Sequence, residues 1–159
     1  DGTEQAHGMA RGDLRDELQQ QVNASIWRGA VKVTGCAPLP GPGYFYAASI
    51  LDRVAPGMPA HDQELFGPVA AVIRAADETE AVAVANASRF GLGGSIWTRD
   101  AARGEYLARQ LQAGACFVNG MVKSDPRLPF GGVKDSGYGR ELSHHGLREF
   151  VNAKTIWIR

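Results

Sequence analysis

The run Glu64-Leu65-Phe66-Gly67-Pro68 combines residue types that are well suited to holding a ligand. A carboxylate at Glu64 can accept hydrogen bonds from two neighbouring hydroxyl groups, and an aromatic ring at Phe66 can pack on a flat heterocycle. A Gly-Pro turn follows at once and leads into the apolar run VAAVIRA. The residue types alone equally describe a solvated acid beside a core aromatic, and without further information they favour that interpretation.

The two cysteines, Cys36 and Cys116, are the candidate nucleophiles. A reactive thiol needs exposure and a cationic or helix-terminal environment. Cys116 lies inside the predicted strand ACFVNG, which is typical of a small buried apolar residue. Cys36 lies in the Pro/Gly loop CAPLPGPG and has no base nearby in sequence, so it is predicted to be an incidental free thiol.

Metal and phosphate sites find little support. His144 and His145 are adjacent, so on a helix they point about 100° apart, and no other His or Cys spacing resembles a zinc site. The glycines of GLGG, Gly91 to Gly94, stand before a strand and not between a strand and a helix, which favours a structural turn over a phosphate loop. No metal ligand is predicted.

Charge and hydropathy exclude two classes of partner. The 159 residues carry a net charge of zero with both signs interspersed, so neither nucleic acid nor a membrane surface is an expected partner. No apolar run approaches a membrane span, and the N-terminus shows no signal-peptide pattern. Two distant cysteines suit a reducing compartment, so a soluble, cytoplasmic protein is expected.

The order of elements predicts an α/β fold. Leu14, Leu18, Val22 and Ile26 form one apolar stripe of a helix that Asp13 caps and Gly29 ends. Later elements alternate as strand, helix, strand, helix, strand: VAAVIRA, a helix from Asp77, GSIWTR, a helix from Asp100, and ACFVNG. Short connections between them favour one parallel sheet with right-handed crossovers.

The remaining chain contains a long Gly/Pro-rich loop, MVKSDPRLPFGGVKDSGYGRE, and a terminal run, VNAKTIWIR. Loops of this length are uncommon unless they are functional. A terminal strand that carries Trp157 should not end unpaired in water, so it is expected to pair with another part of a longer chain or with another subunit. The chain starts at Asp1 without Met, which indicates either a removed leader or a piece of a longer protein.

Five segments, in order, resemble the aldehyde dehydrogenase superfamily: QELFGPV, FGLGGSIWTRD, GACFVNG, LPFGGVKDSGYGRE and REFVNAKT. The register is kept from about Met9 to the end. NGMVKSDPRLPFGG resembles the succinate-semialdehyde dehydrogenase subgroup in particular. The resemblance implies that residues 1–150 are the C-terminal part of the catalytic domain and that residues 151–159 are an oligomerisation strand.

The resemblance also implies a mechanism for the intact enzyme. A cysteine thiolate attacks the aldehyde, hydride passes to NAD or NADP, and a water activated by a glutamate hydrolyses the thioester. The family's cysteine, its glutamate and its Rossmann-type domain all lie upstream of these segments, so no catalytic residue is assigned here. The ribose 2′ position is read by that upstream domain, which leaves NAD and NADP both open.

Residue by residue, Glu64 matches the family's glutamate on the nicotinamide ribose, and Phe66 matches the aromatic beside it. Ser124 is the candidate for holding the distal carboxylate of a semialdehyde, and Phe130 is the candidate wall of the substrate funnel. Residues 151–159 match the strand used for homo-oligomer assembly. Cys36 and Asp135 depart from the family pattern without touching these roles.

Two rival hypotheses remain from the sequence. The chain could be a free-standing, non-catalytic oligomerisation or interaction module built around its terminal strand. It could also be a small enzyme that uses Cys116 as its nucleophile.

Overall fold

A computed structural model describes residues 8–159 of the chain. The first element in this range is helix α1. These residues divide between Ala76 and Asp77 into two units. The first unit contains two helices and three strands: α1 (Gly12–Trp27), β1 (Val31–Thr34), β2 (Ser49–Asp52), α2 (Pro59–Asp62) and β3 (Val69–Ala71).

The predicted apolar stripe of α1 is confirmed. Leu18 and Val22 are almost fully buried and pack in the core of the first unit with Tyr46 and Leu51. Burial raises the pKa of Tyr46 to about 12, and its hydroxyl donates a hydrogen bond to Gln19 Oε1 at 3.1 Å. The helix therefore forms because one side of it is removed from water.

The two ends of α1 differ from one another in how well the sequence predicts them. Asp13 is not the N-cap, since Arg11 holds that position and its guanidinium binds the Asp13 carboxylate inside the first turn. Gly29 ends the helix as predicted, with φ +111°, and its N–H donates to Ile26 O at 2.9 Å. Ala30 N–H donates to Ser25 O at 3.0 Å, which completes a Schellman motif.

The first sheet is mixed and has the order β1-β2-β3. β1 pairs antiparallel with β2, and β2 pairs parallel with β3. The prediction of one parallel sheet running through VAAVIRA, GSIWTR and ACFVNG is therefore wrong for its first strand. β3 finds its partner in β2, on its own unit.

The second unit contains three helices and four strands: α3 (Glu78–Ala87), β4 (Phe90–Gly91), β5 (Gly93–Ile96), α4 (Ala101–Ala108), β6 (Ala115–Val118), β7 (Val133–Lys134) and α5 (Ser143–Arg148). β5 and β6 pair in parallel with α4 between them, as predicted. β4 pairs antiparallel with β7, which was not predicted.

Both predicted caps of the second unit are present. Asp77 accepts the Glu80 N–H at 2.8 Å at the start of α3, and Asp100 accepts the Arg103 N–H at 3.0 Å at the start of α4. A Cβ at Gly104 would stand 2.5 Å from Val118 Cγ1, so α4 lies against β6 at a distance that only glycine permits there.

Residues 151–159 contain no assigned strand, and their side chains are exposed. A strand that pairs only across a subunit interface has no ladder in a single chain. The assignment of these residues as an oligomerisation strand thus stays a prediction, as does the domain boundary after residue 150. Among residues 8–159, no helix is long and apolar enough to cross a membrane.

Candidate functional site

Glu64 and Phe66 are both exposed, while Leu65 between them is half-buried against the core of the first unit. Within the segment, Gly67 N–H donates to Leu65 O at 2.9 Å, so the chain turns at Phe66. Phe66 is 64% exposed, so the alternative interpretation of Phe66 as a core residue is wrong for these residues. The carboxylate and the ring are therefore both exposed on one short segment.

The backbone of this segment is anchored to α1. Gln21 Nε2 donates to Glu64 O at 3.2 Å and to Gln63 Oε1 at 3.1 Å. A Cβ at Gly67 would stand 2.4 Å from Cδ2 of the buried Leu18, so the chain passes close over the helix. The exposed side chains of Glu64 and Phe66 thus project from a fixed backbone.

Within the described residues the Glu64 carboxylate has no hydrogen-bond or ion-pair partner. Its oxygens are consequently available as acceptors for a diol, and the Phe66 ring offers an apolar face two residues away. Two acceptor oxygens beside an apolar ring suit a ribose and its attached flat ring. The cofactor roles of Glu64 and Phe66 nevertheless stay predictions.

Ser124 lies in the second unit, in the loop that joins β6 to β7. It is exposed, and in the part of the chain that the structure describes its hydroxyl makes no hydrogen bond. The turn that follows is closed by a hydrogen bond from Leu128 N–H to Asp125 O at 2.9 Å. Ser124 is thus a free donor beside a closed turn.

Phe130 is half-buried and lines an open groove of the second unit. Its backbone pairs with Glu141 through two hydrogen bonds, of 2.9 and 2.8 Å. The apolar part of the groove also includes Leu92, Pro126, Leu142, Leu147 and Phe150. Ser124 does not line this groove, although Pro126, two residues later, does.

The glycines around Phe130 are needed for backbone reasons. Gly131, Gly137 and Gly139 have positive φ, and a Cβ at Gly132 would stand 2.8 Å from Ser136 O. Arg140 Nη1 donates to the carbonyls of Gly132 and Gly139, at 2.8 and 2.6 Å, and so ties the two glycine turns together.

Neither cysteine is placed as an active nucleophile. Cys36 is buried, and its N–H donates to Ser49 Oγ at 2.6 Å. Cys116 is half-buried in β6, and burial raises the pKa of its thiol, which leaves less thiolate at neutral pH. This environment argues against the small-enzyme hypothesis based on Cys116.

Residues 8–159 give no support to a metal site or to a phosphate loop at GLGG. No group of three or more His, Cys, Asp or Glu could hold a metal ion there. Gly91 and Gly93 lie in β4 and β5, and a Cβ at either would collide with Val133 or Val122. The glycines of GLGG therefore serve strand packing, where a structural turn was predicted.

Sequence reasoning overlooked two contacts near the candidate substrate residues. One is the fork between Asp125 and Arg127, for which the Asp-Pro pair was an available turn signal. The other is the approach of Gly131 O to Gly114, where a Cβ would stand 1.7 Å from that oxygen. No local pattern marks a contact between residues so far apart in sequence.

The comparisons with known proteins agree over nearly the whole chain. The model of the aldehyde dehydrogenase family matches residues 5–156. Succinate-semialdehyde dehydrogenase (NADP+) 1 of Mycobacterium ulcerans is 48% identical over 150 residues, which cover 94% of this chain and 33% of that protein. Succinate-semialdehyde dehydrogenase (NADP+) of Mycobacterium avium is 49% identical over 144 residues, which cover 91% and 30%.

A solved structure extends the likeness to the fold. Succinic semialdehyde dehydrogenase from Streptococcus pyogenes, crystallised with NADP+ as the cofactor, superposes with a TM-score of 0.93 at 35% identity. The match covers 99% of this chain and 35% of that one, so the chain spans about a third of the length of its relatives. Because the family model matches residues 5–156 and the fold is the same, the chain belongs to the aldehyde dehydrogenase family.

Proposed function

We propose that the chain is the C-terminal portion of an NAD(P)-dependent aldehyde dehydrogenase that oxidises succinate semialdehyde to the carboxylate. The similarity to succinate-semialdehyde dehydrogenases over 94% of the chain carries this proposal. The loop NGMVKSDPRLPFGG, which resembles that subgroup in particular, supports the choice of substrate.

Glu64 and Phe66 would hold the nicotinamide end of the cofactor. Bound NAD or NADP supplies the acceptor for the hydride that leaves the aldehyde carbon. The unpartnered Glu64 carboxylate would accept the two ribose hydroxyls, and Phe66 would pack beside the ring, because both side chains are exposed on one anchored segment. The relatives named above use NADP+, and both cofactors stay open for this chain.

Ser124 and Phe130 would contribute to the substrate funnel. The aldehyde end of a semialdehyde must reach the catalytic cysteine, so its carboxylate would lie near the funnel mouth, where the Ser124 hydroxyl can donate. Phe130 would form part of the apolar wall. Arg127, a local candidate for the countercharge, already binds Asp125, whereas Lys123 makes no salt bridge within the described residues.

The catalytic cysteine and glutamate would come from the part of the enzyme that the family places upstream. Cys36 and Cys116 lie outside the family's cysteine motif, and their environments suit buried thiols. The 159 residues would therefore bind and position without performing the chemistry themselves.

Residues 151–159 would act as the oligomerisation strand. Ile156, Trp157 and Ile158 are 75%, 84% and 88% exposed, and so much apolar surface favours a partner. The same observation favours the second candidate function, a non-catalytic interaction module. The length of the encoding reading frame separates the two, because a module needs no upstream catalytic domain.

The substrate proposal predicts a selective effect of Ser124→Ala in the full-length enzyme. Losing a hydrogen bond to a charged group costs about 1.5–3 kcal/mol, so kcat/KM for succinate semialdehyde should fall roughly ten- to a hundredfold. Pentanal has a similar length and no charge, so its kcat/KM should change little. Steady-state kinetics with both aldehydes measure this difference.

An equal loss for both aldehydes would mean that Ser124 only shapes the loop. Wild-type enzyme that shows no preference for succinate semialdehyde over pentanal would reject the proposed substrate itself.

A further inference from the structure

The turn that follows Ser124 is organised by a single side chain, that of Asp125. Asp125 Oδ1 accepts the backbone N–H of Arg127 at 2.9 Å and its Nε–H at 2.9 Å, and Oδ2 accepts Nη2 at 2.7 Å. One carboxylate thus fastens both the backbone and the guanidinium of the residue two positions later.

The same turn is tied to the rest of the second unit. Leu128 N–H donates to Asp125 O at 2.9 Å, which closes the turn, and Ser143 N–H donates to Pro126 O at 3.0 Å. Because Asp125 precedes a proline, its own backbone is restricted to extended conformations. Asp125 is therefore held by its side chain, by its carbonyl and by the residue after it.

A second anchor stands on the other side of Ser124. Asn119 adopts φ +54° at the end of β6, its N–H donates to Ile96 O at 2.8 Å, and its Oδ1 accepts Thr98 N–H at 2.9 Å. Between Asn119 and Asp125 the chain spans residues 120–124. Ser124 is the last of these, directly attached to the anchored turn.

The ion pair between Asp125 and Arg127 contributes little to the overall stability of the fold. The Arg127 side chain is 86% exposed, and exposed pairs contribute little to the free energy of unfolding. The Asp125 side chain is only 21% exposed, and Arg127 holds the pKa of its carboxyl well below the usual range. The pair therefore persists across ordinary pH, and its effect is local.

We propose that Asp125 is a positioning residue, which fixes the turn after Ser124 and thereby sets the selectivity for aldehydes with a distal anionic group. This inference rests on the proposed function of Ser124. A donor that is already placed loses less conformational freedom on binding its partner. In addition, Asp125 engages the Arg127 guanidinium, which keeps that group from competing with the Ser124 hydroxyl for an anionic partner.

The test compares Asp125→Ala and Asp125→Asn in the full-length enzyme. Asp125→Ala removes all three side-chain contacts, so KM for succinate semialdehyde should rise about fivefold, less than for Ser124→Ala, with kcat and the kinetics with pentanal little changed. Asp125→Asn keeps an acceptor for the Arg127 N–H and should restore most of the loss. This rescue also covers the case in which Asp125→Ala folds poorly.

Asp13 supplies the matched control. Its carboxylate makes the same fork to an arginine two residues away, with distances of 3.0 and 2.8 Å to Arg11 Nε and Nη2, on a helix of the first unit. Asp13→Ala should leave KM for both aldehydes unchanged. The double variant Ser124→Ala/Asp125→Ala should be no worse than Ser124→Ala, because positioning has no effect without the group that is positioned.

The outcomes separate this inference from the proposed function. Additive losses in the double variant, an equal effect on pentanal, or no loss at all in both Asp125 variants would reject the role of Asp125 while leaving that of Ser124 intact. If Ser124→Ala itself leaves the kinetics with succinate semialdehyde unchanged, both roles are rejected.

Discussion

At the residue scale, the proposed cofactor role of Glu64 depends on its free carboxylate and on its position in the chain. Its carboxylate is exposed and unpartnered within the described residues, and its backbone is fixed by Gln21. With the backbone fixed, binding of a diol would need to order only the Glu64 side chain. A substitution that removes the charge and keeps the shape can therefore test whether the charge of Glu64 is needed.

Glu64→Gln in the full-length enzyme keeps the shape and removes the charge. If Glu64 binds the ribose as proposed, its hydrogen bonds should fall from charge-assisted to neutral strength, a loss of about 1 kcal/mol or more, which corresponds to roughly fivefold or more in the rate of hydride transfer. Single-turnover formation of the reduced cofactor measures this step.

Glu17→Gln is the control for that experiment, since it makes the same chemical change at an exposed position of α1. Unchanged single-turnover hydride transfer in Glu64→Gln would remove Glu64 from the cofactor site.

At the scale of elements, the sequence predicts what is encoded locally. The apolar stripe of α1, the caps Asp77 and Asp100, and the stop at Gly29 each depend on neighbours within four residues, and all four are confirmed. The cap proposed at Asp13 is wrong because the helix starts earlier: Arg11 is at the N-cap position, and Asp13 lies in the first turn.

Local sequence patterns do not predict which strands pair with each other. The pairing of β3 with β2 and of the two-residue strands β4 and β7 depends on contacts between distant segments, which no hydrophobic period records. For the candidate site, residue types and family resemblance selected Glu64, Phe66, Ser124 and Phe130. The exposure of Phe66 and the fork from Asp125 to Arg127 needed the three-dimensional structure.

The contact of Gly114 with Gly131 gives an element-scale prediction. A Cβ at Gly114 would stand 1.7 Å from Gly131 O and 2.7 Å from its carbonyl carbon, both of which are backbone atoms. Gly114→Ala must therefore displace the loop that carries Phe130, with an expected loss of about 1–3 kcal/mol of stability. A lower midpoint of thermal inactivation of the full-length enzyme would report it.

Gly120→Ala is the matched change, because its Cβ would meet nothing nearer than Phe117 Cδ1 at 3.8 Å. Equal midpoints for the two variants would contradict the requirement for glycine at position 114.

At the scale of the whole molecule, the proposed function assigns binding to these 159 residues and the chemical steps to the upstream part of the enzyme. The isolated 159-residue chain should not oxidise succinate semialdehyde with either NAD or NADP, because it would lack the nucleophile and the base that activates water. Absorbance of the reduced cofactor measures turnover, and the full-length enzyme assayed in parallel is the positive control. Activity that survives purification and is abolished by Cys116→Ala would instead support the small-enzyme hypothesis.

Each strand of the described residues finds its partner inside its own unit, which has a consequence for biosynthesis. β1, β2 and β3 are all complete by Ala71, whereas β4 must wait for β7, whose residues are made more than forty positions later. On a ribosome that adds about 5–20 residues per second, the ladder of the first unit can close while the second is still being translated. During that interval β4 waits longest for its partner, since β5 can pair as soon as β6 is made, and a translational pause before Val133 would prolong the exposure of β4 to chaperones and to misfolding.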